Sequence, residues 1–187
     1  YTRPRTFTRV EDSNGNVILE NEIQSNVAMK ASTAALMNSI LHDVVNGGTG
    51  SSANFSGMTL AGKTGTTNDL RDRYFVGYSP YYVGACWVGY ESNSRVSSGG
   101  VNPAAILWNK VMSQIHAGLE NKNFFSSSDL VQVTVCADSG MLASNLCEQD
   151  PRGSRVRYEW VAVDNQPTEL CTMHDGSSML NYYRDYF

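Results

Sequence analysis

The chain predicts an α+β fold: an antiparallel sheet flanked by helices. Three observations carry this. Two consecutive β-rich runs, Arg73-Tyr74-Phe75-Val76-Gly77-Tyr78 and Tyr82-Val83-Gly84-Ala85-Cys86-Trp87-Val88-Gly89-Tyr90, are separated only by Ser79-Pro80-Tyr81. So short a connection suits an antiparallel pair and excludes a parallel crossover. A further strand, entered through Met58, Leu60 and Ala61, precedes them and completes a meander. Segments with helical spacing stand on either side, at residues 31–45 and 103–116. The near-continuous apolar character of the two runs implies that both faces of the sheet are covered.

In chain order, Thr6-Phe7-Thr8-Arg9-Val10 and Asn16-Val17-Ile18-Leu19 flank the turn signal Asp12-Ser13-Asn14-Gly15 and read as a hairpin. The helix at 31–45 places Ala35, Leu36, Ile40, Leu41 and Val44 on one face, offers Ser32 or Thr33 as its cap, and is closed by Gly47-Gly48. Residues 48–57 contain too few apolar side chains for an element and are expected to be a flexible connection into the Lys63 strand. The second helix has Asn102 as N-cap and Pro103 at its first position. Ala105, Ile106, Trp108, Val111, Met112 and Ile115 are available for its buried face, and Gly118 ends it. Beyond Phe124, strands at Leu130-Val131-Gln132-Val133-Thr134-Val135 and Tyr158-Glu159-Trp160-Val161-Ala162-Val163 enclose turns at Asp138-Ser139-Gly140 and Asp150-Pro151-Arg152-Gly153. The tyrosine-rich residues 181–187 show no period.

With 187 residues, 41% of them hydrophobic, the chain is long enough for a packed domain. Its net charge is −4 and its 14 Lys and Arg are dispersed, so no basic stripe exists to neutralise phosphates and nucleic acid is excluded as a partner. There is no apolar run of membrane-spanning length and no signal peptide, and the chain starts at Tyr1. That start reads as a cut, with any anchor expected outside the chain.

Cys86 sits in an apolar run, whereas Cys136, Cys147 and Cys171 fall in the turn-rich tail. Cys171-Thr172-Met173-His174 has the close spacing of a metal arm, but Cys136 and Cys147 do not supply the second close pair that zinc sites usually bring. A disulfide among the three, free thiols and zinc remain open in that order, and no metal is assigned.

The chemistry concentrates in Leu60-Ala61-Gly62-Lys63-Thr64-Gly65-Thr66-Thr67-Asn68-Asp69. Gly62 and Gly65 remove side chains where another backbone or a ligand could approach. A Lys among hydroxyls and bare amides on such an edge attracts a carboxylate, and a nearby N–H can stabilise a developing oxyanion. Other candidates weigh less. His42, His116 and His174 fall on separate elements, which favours helix-face or surface roles over a shared metal or triad. Trp87 and Trp108 suit a core more than a sugar platform, and Asp69 and Asp72 suit turn formation more than paired acid catalysis.

Gly48-Thr49-Gly50, the Lys63 stretch, Asp72-Arg73-Tyr74-Phe75-Val76-Gly77-Tyr78-Ser79-Pro80 and Trp87-Val88-Gly89-Tyr90 together resemble the back half of the transpeptidase domain of class A penicillin-binding proteins, the bifunctional cell-wall synthases. The resemblance runs over residues 6–118 in order and spacing. The tail, with Cys136, Ser139-Gly140, Cys147, Pro167 and Cys171, resembles Gram-positive members. It implies a penicillin-recognising serine transferase, or β-lactamase-like, fold whose five-stranded sheet is incomplete here. Residues 1–123 would be the C-terminal half of the transpeptidase domain and residues 124–187 a small cysteine-containing appendage.

Of that family's three motifs, Ser-x-x-Lys, Ser-x-Asn and Lys-Thr-Gly, only the last is present. No serine has a lysine three places on, so the nucleophile and its base are expected outside this chain. Ser52-Ala53-Asn54 matches the second motif in letters but lies directly before the Lys63 strand, and reads as a coincidence. The resemblance makes Lys63 and Thr66 catalytic, with the Thr66 N–H as half of an oxyanion hole. It makes Thr64, Gly65, Thr66 and Thr67 substrate-binding, with Gly65 admitting the substrate backbone as an added strand.

The implied activity is DD-transpeptidation through a serine acyl-enzyme, without a cofactor, in a protein acylated by β-lactams, whereas this fragment alone would be inactive. The implied partners are the N-terminal half of the same domain, as upstream sequence or a second chain, and the peptidoglycan stem peptide. The implied location is the extracellular face of the bacterial membrane, held by an N-terminal anchor. A β-lactamase or DD-carboxypeptidase fragment and a non-catalytic peptidoglycan-binding module are the alternatives.

Overall fold

The structure, a computed structural model, describes residues 1–97 and 99–174; the tyrosine-rich stretch at 181–187 lies outside them. Two units divide the chain, Tyr1–Ala31 and a second beginning at Ser32. Within the first, β1 (Arg9–Glu11) and β2 (Val17–Glu20) pair antiparallel with an irregularity between Val10 and Glu11. The turn forms as its residues dictate. The Asp12 carboxylate accepts from the Asn14 and Asn16 amides, both at 2.8 Å, and Gly15 takes φ 82°.

All of α1 (Ala31–Asn46) but its first residue belongs to the second unit. Ser32 lies inside its first turn instead of capping it. Only Ser32, Ala35 and Val45 are buried, while Ile40, expected on the buried face, is exposed. Gly48 ends the helix because a Cβ there would stand 2.9 Å from Val44 Cα. Residues 48–57 are not a flexible connection. Gly50 donates to the Val44 carbonyl at 2.9 Å, Ser51–Ala53 form a 3₁₀ turn, and Ala53 is fully buried. Small residues let this backbone pass close to Phe75 and Val44, so packing of the backbone replaces the side-chain burial that the composition lacks.

β3 (Ala61–Thr66), β4 (Asp72–Tyr78) and β5 (Val83–Gly89) form an antiparallel sheet in that order. α2 (Pro103–Ile115) packs on one face. Its start follows the sequence signal: Asn102 Oδ1 accepts from Ala104 N at 2.9 Å and Ala105 N at 3.4 Å, and its Nδ2 donates to the Tyr74 carbonyl at 3.0 Å. One side chain thus caps the helix and ties it to β4.

The contact between α2 and the sheet rests on a row of glycines. Gly62, Gly77 and Gly84 are register partners across the three strands, and a Cβ at Gly77 would meet Phe75 at 2.5 Å and Trp108 at 2.9 Å. Phe75 and Trp108 lie edge to face with ring centroids 5.3 Å apart, and Trp108 Nε1 donates to the Gly84 carbonyl at 3.0 Å. The helix buries Ala104, Ala105, Trp108 and Met112, whereas Ile106, Val111 and Ile115, expected inside, are exposed. A wide aromatic fills the space over the glycine floor, so the seam is narrow and the remaining apolar positions turn outward.

The expectation that both sheet faces are covered is corrected. Burial alternates along β4 and β5, and the face opposite α2 exposes Tyr74, Val76, Val83 at 73% and Trp87 at 51%. No described element lies over these positions in a way that removes them from solvent.

β6 (Leu130–Cys136) and β7 (Val156–Ala162) pair antiparallel, with α3 (Asn145–Glu148) between them. Their buried centre is Cys136, Cys147 and Cys171, with Met141, Ala143 and Val156 around it. No helix among the described residues is long and apolar enough to cross a membrane.

Two substitutions test this packing by chemical denaturation. Asn102→Ala should cost about 2 kcal/mol, the sum of a lost cap and a deserted Tyr74 carbonyl. Gly77→Ala should cost about 1–3 kcal/mol by overpacking against two rings. Unchanged midpoints for both would contradict the described seam.

Candidate functional site

β3 is an edge strand: it pairs with β4 and, among the described residues, with nothing on its other side. The direction of its amides follows from one bond just past its end. Thr67 N donates to the Asp72 carbonyl at 3.2 Å, which makes Thr67 and Asp72 a hydrogen-bonded pair. Antiparallel pairs alternate, so Gly65 with Tyr74 and Lys63 with Val76 are the hydrogen-bonded pairs upstream. The N–H and C=O groups of Thr64 and Thr66 therefore point at the open edge. Lys63 Nζ reaches one of these outward carbonyls, Thr64 O, at 3.1 Å.

Side chains alternate as well. Thr64 lies opposite Phe75 on the face that α2 covers, and its Oγ1 meets Thr49 Oγ1 at 3.0 Å. Thr49 comes from the packed loop after α1, so that loop steadies the strand's hydroxyl. Thr66 Oγ1 accepts from Arg73 Nη1 at 3.3 Å, an arrangement that leaves its own proton to donate elsewhere. Lys63 is exposed and lies on the other, uncovered face beside Val76. Among the described residues, the open edge thus carries an ammonium, two hydroxyls and two amides without a ladder partner, which suits an anionic, extended ligand.

Three expectations change in detail. The bare position at Gly62 serves the core and not a ligand, because a Cβ there would stand 2.6 Å from the Phe75 ring. Gly65 is constrained by its own sheet too, with Tyr74 Cβ 3.0 Å from where a Cβ would be. Thr67 is turned to the loop: its hydroxyl accepts from Asp72 N at 2.9 Å and lies 3.3 Å from Asp72 Oδ2.

The remaining candidates fall into structural places. Asp72 Oδ1 accepts from Trp87 Nε1 at 2.9 Å, while Asp69 and Leu70 take left-handed φ values of 62° and 58° in the turn. Ser52-Ala53-Asn54 packs against α2, with Asn109 Nδ2 donating to the Asn54 carbonyl at 2.6 Å. His42 Nδ1 donates to the Leu60 carbonyl at 2.8 Å. His116 Nδ1 donates to the Met112 carbonyl at 2.7 Å, so its Nε2 accepts from the buried Ser79 hydroxyl at 2.7 Å. That serine also receives the Tyr81 and Tyr82 amides and holds the β4–β5 turn.

The tail holds a constellation that spacing along the chain concealed. None of the four cysteines is joined to another in the structure, which differs from the disulfide expected first. Cys136, Cys147, Cys171 and His174 are all buried and bring their ligand atoms within 4.8 Å of one another. Asp138 and Asp150, read from sequence only as turn residues, flank His174. The Arg155 guanidinium holds the Asp138 carboxyl down to about 2, and Arg152 does the same for Asp150. The Cys171-Thr172-Met173-His174 arm was the one sequence signal for this grouping.

A family model described as the penicillin binding protein transpeptidase domain matches residues 1–113, and one described as the C-terminal domain of penicillin-binding protein 1A matches residues 126–176. Penicillin-binding protein 1A of Clostridium perfringens is 38% identical over 176 residues, which span 92% of this chain and 21% of that protein. The protein of the same name from Clostridium tetani is 32% identical over 183 residues, 94% of this chain and 22% of that one. The chain therefore spans about a fifth of the length of these relatives. The crystal structure of penicillin-binding protein 1A from Haemophilus influenzae shares the fold, with a TM-score of 0.68 over 91% of this chain and 30% of that one, at 17% identity. With more than half of its residues matched by the first of these family models, the chain belongs to the penicillin-binding protein transpeptidase domain family.

Proposed function

We propose that this chain forms the Lys-Thr-Gly wall of a peptidoglycan DD-transpeptidase and that the serine nucleophile comes from polypeptide outside it. The observation that carries this is the edge of β3, where Lys63 and the outward amides of Thr64 and Thr66 face open space beside an uncovered apolar face.

In this reading the donor stem peptide lies along β3 as an added strand, and its terminal carboxylate is drawn by Lys63 and bound by the Thr64 and Thr66 hydroxyls. The serine attacks the penultimate D-alanine carbonyl, the terminal D-alanine leaves with a proton, and the acyl group passes to the amine of a neighbouring stem. The Thr66 N–H stabilises the oxyanion in both steps. Because it is fixed in a strand, it costs little reorganisation when charge develops. A β-lactam carries the same carboxylate and a reactive carbonyl, and acylates the same serine. Acylation and transfer of this kind need no cofactor.

The N-terminal half of the same domain, supplied upstream or as a second chain, would cover Tyr74, Val76, Val83 and Trp87. Residues 1–123 would then be the C-terminal half of that domain and residues 124–187 an appendage. The enzyme would work at the extracellular face of the membrane, where its substrate is, with its anchor outside this chain.

Two outcomes follow. In the longer protein, Lys63→Ala should slow acylation by a fluorescent penicillin on the order of a hundredfold, the scale of losing one preorganised charge-stabilising donor. The 187-residue chain alone should not be labelled; labelling of it, or an unaltered rate in the variant, refutes the proposal. The chain alone should also bind an apolar reporter dye, and coexpression with the upstream half should abolish that binding. Persistent dye binding in the complex would mean that the exposed face is not where the upstream half docks.

A further inference from the structure

We propose that Cys136, Cys147, Cys171 and His174 form a closed, tetrahedral, structural zinc site that holds the C-terminal appendage together.

The geometry points to it directly. His174 Nδ1 lies 3.4 Å from Cys136 Sγ and 3.4 Å from Cys171 Sγ. In a tetrahedral zinc site the edge between a sulfur and a nitrogen ligand is about 3.5 Å, as follows from bond lengths of about 2.3 and 2.0 Å. Cys147 Sγ completes the group, within the same 4.8 Å limit. The four residues come from three places: the end of β6, α3, and the segment after β7. The second close pair missing from the sequence is therefore supplied by folding.

The imidazole is oriented for the task. Its Nε2 lies 3.1 Å from Asp138 Oδ2 and 3.0 Å from Asp150 Oδ2. A proton on Nε2 satisfies these carboxylates and leaves the Nδ1 lone pair directed at the sulfurs, the arrangement by which carboxylates orient metal-binding histidines. The sulfurs have their own donors: Asp138 N reaches Cys136 Sγ at 3.4 Å, and Ser144 N reaches Cys147 Sγ at 3.3 Å. Such bonds occupy sulfur lone pairs and fix where the sulfurs lie.

Charge and burial decide which ion fits. Three thiolates and a neutral imidazole are the soft, four-coordinate set that zinc takes, and the burial of all four leaves no position for water or substrate. Arg152 and Arg155 bond to the two carboxylates and offset their charge. A disulfide would use two sulfurs and strand the third, buried, beside the imidazole. Zinc uses all four groups.

The appendage has reason to need such a staple. Among the described residues, its buried cluster of three cysteines gathers only the partly buried Met141, Ala143 and Val156, and so small a core stabilises little. Metal binding there adds directly to the stability of the fold.

The test uses the protein carrying residues 1–187, purified reduced and supplied with zinc. Elemental analysis should find one zinc per chain. Cobalt replacement should give the absorption of a tetrahedral site together with thiolate-to-cobalt charge transfer. Cys171→Ser and His174→Ala should lose stoichiometric binding, Cys86→Ser should retain it, and Asp150→Asn should weaken it about 10–100-fold. Chelation should speed amide exchange in β6 and β7 while leaving β3 to β5 unchanged. Absence of bound zinc and of the cobalt spectrum in the unaltered protein overturns the proposal, whether or not the variants fold. So does mass spectrometry that finds two of the three cysteines joined as a disulfide.

Discussion

The fold of the second unit depends on a place where side chains are absent. Gly62, Gly77 and Gly84 align across three strands, and their missing Cβ atoms make the floor on which Phe75 and Trp108 lie. Any larger residue in that row would lift α2 from the sheet. Because α2 is also tied to β4 through Asn102, the helix, the sheet and the position of β3 form one packed body. Lys63, one residue along from Gly62, inherits its place from that floor.

Much of this was legible in the sequence, for reasons that lie in local chemistry. Asn102-Pro103 specifies a helix start through a cap and a preset φ, both properties of neighbouring atoms. The Asp12 turn and the β4–β5 connection are local in the same sense. What was not legible depends on distant partners. The apolar runs of β4 and β5 looked covered on both sides because composition cannot say which face a helix reaches. Residues 48–57 looked loose because backbone packing against Phe75 leaves no hydrophobic period. Gly62 looked like an opening for ligand when its vacant space belongs to an aromatic ring.

The candidate site divides in the same way. Lys63, Thr64 and Thr66 stood out as a short motif, and an edge strand keeps such a motif contiguous in space. Which amides point outward required the Thr67–Asp72 bond and could not be read from residue letters. The tail cluster is the reverse case. Its members are separated by 10, 23 and 2 residues, so only the meeting of a strand end, a short helix and a late arm brings them together.

The alternation that aims the Thr66 amide outward also makes it vulnerable to displacement along the strand. Sliding β3 past β4 by a single residue would turn that amide into the ladder, bring the Lys63 side chain under the helix and put Thr64 where Lys63 had been. The aligned glycines resist this shift, since any neighbour of Gly62 would bring a Cβ or more against Phe75. A packing detail on the buried side of the sheet thus acts as the detent that keeps the exposed edge in phase.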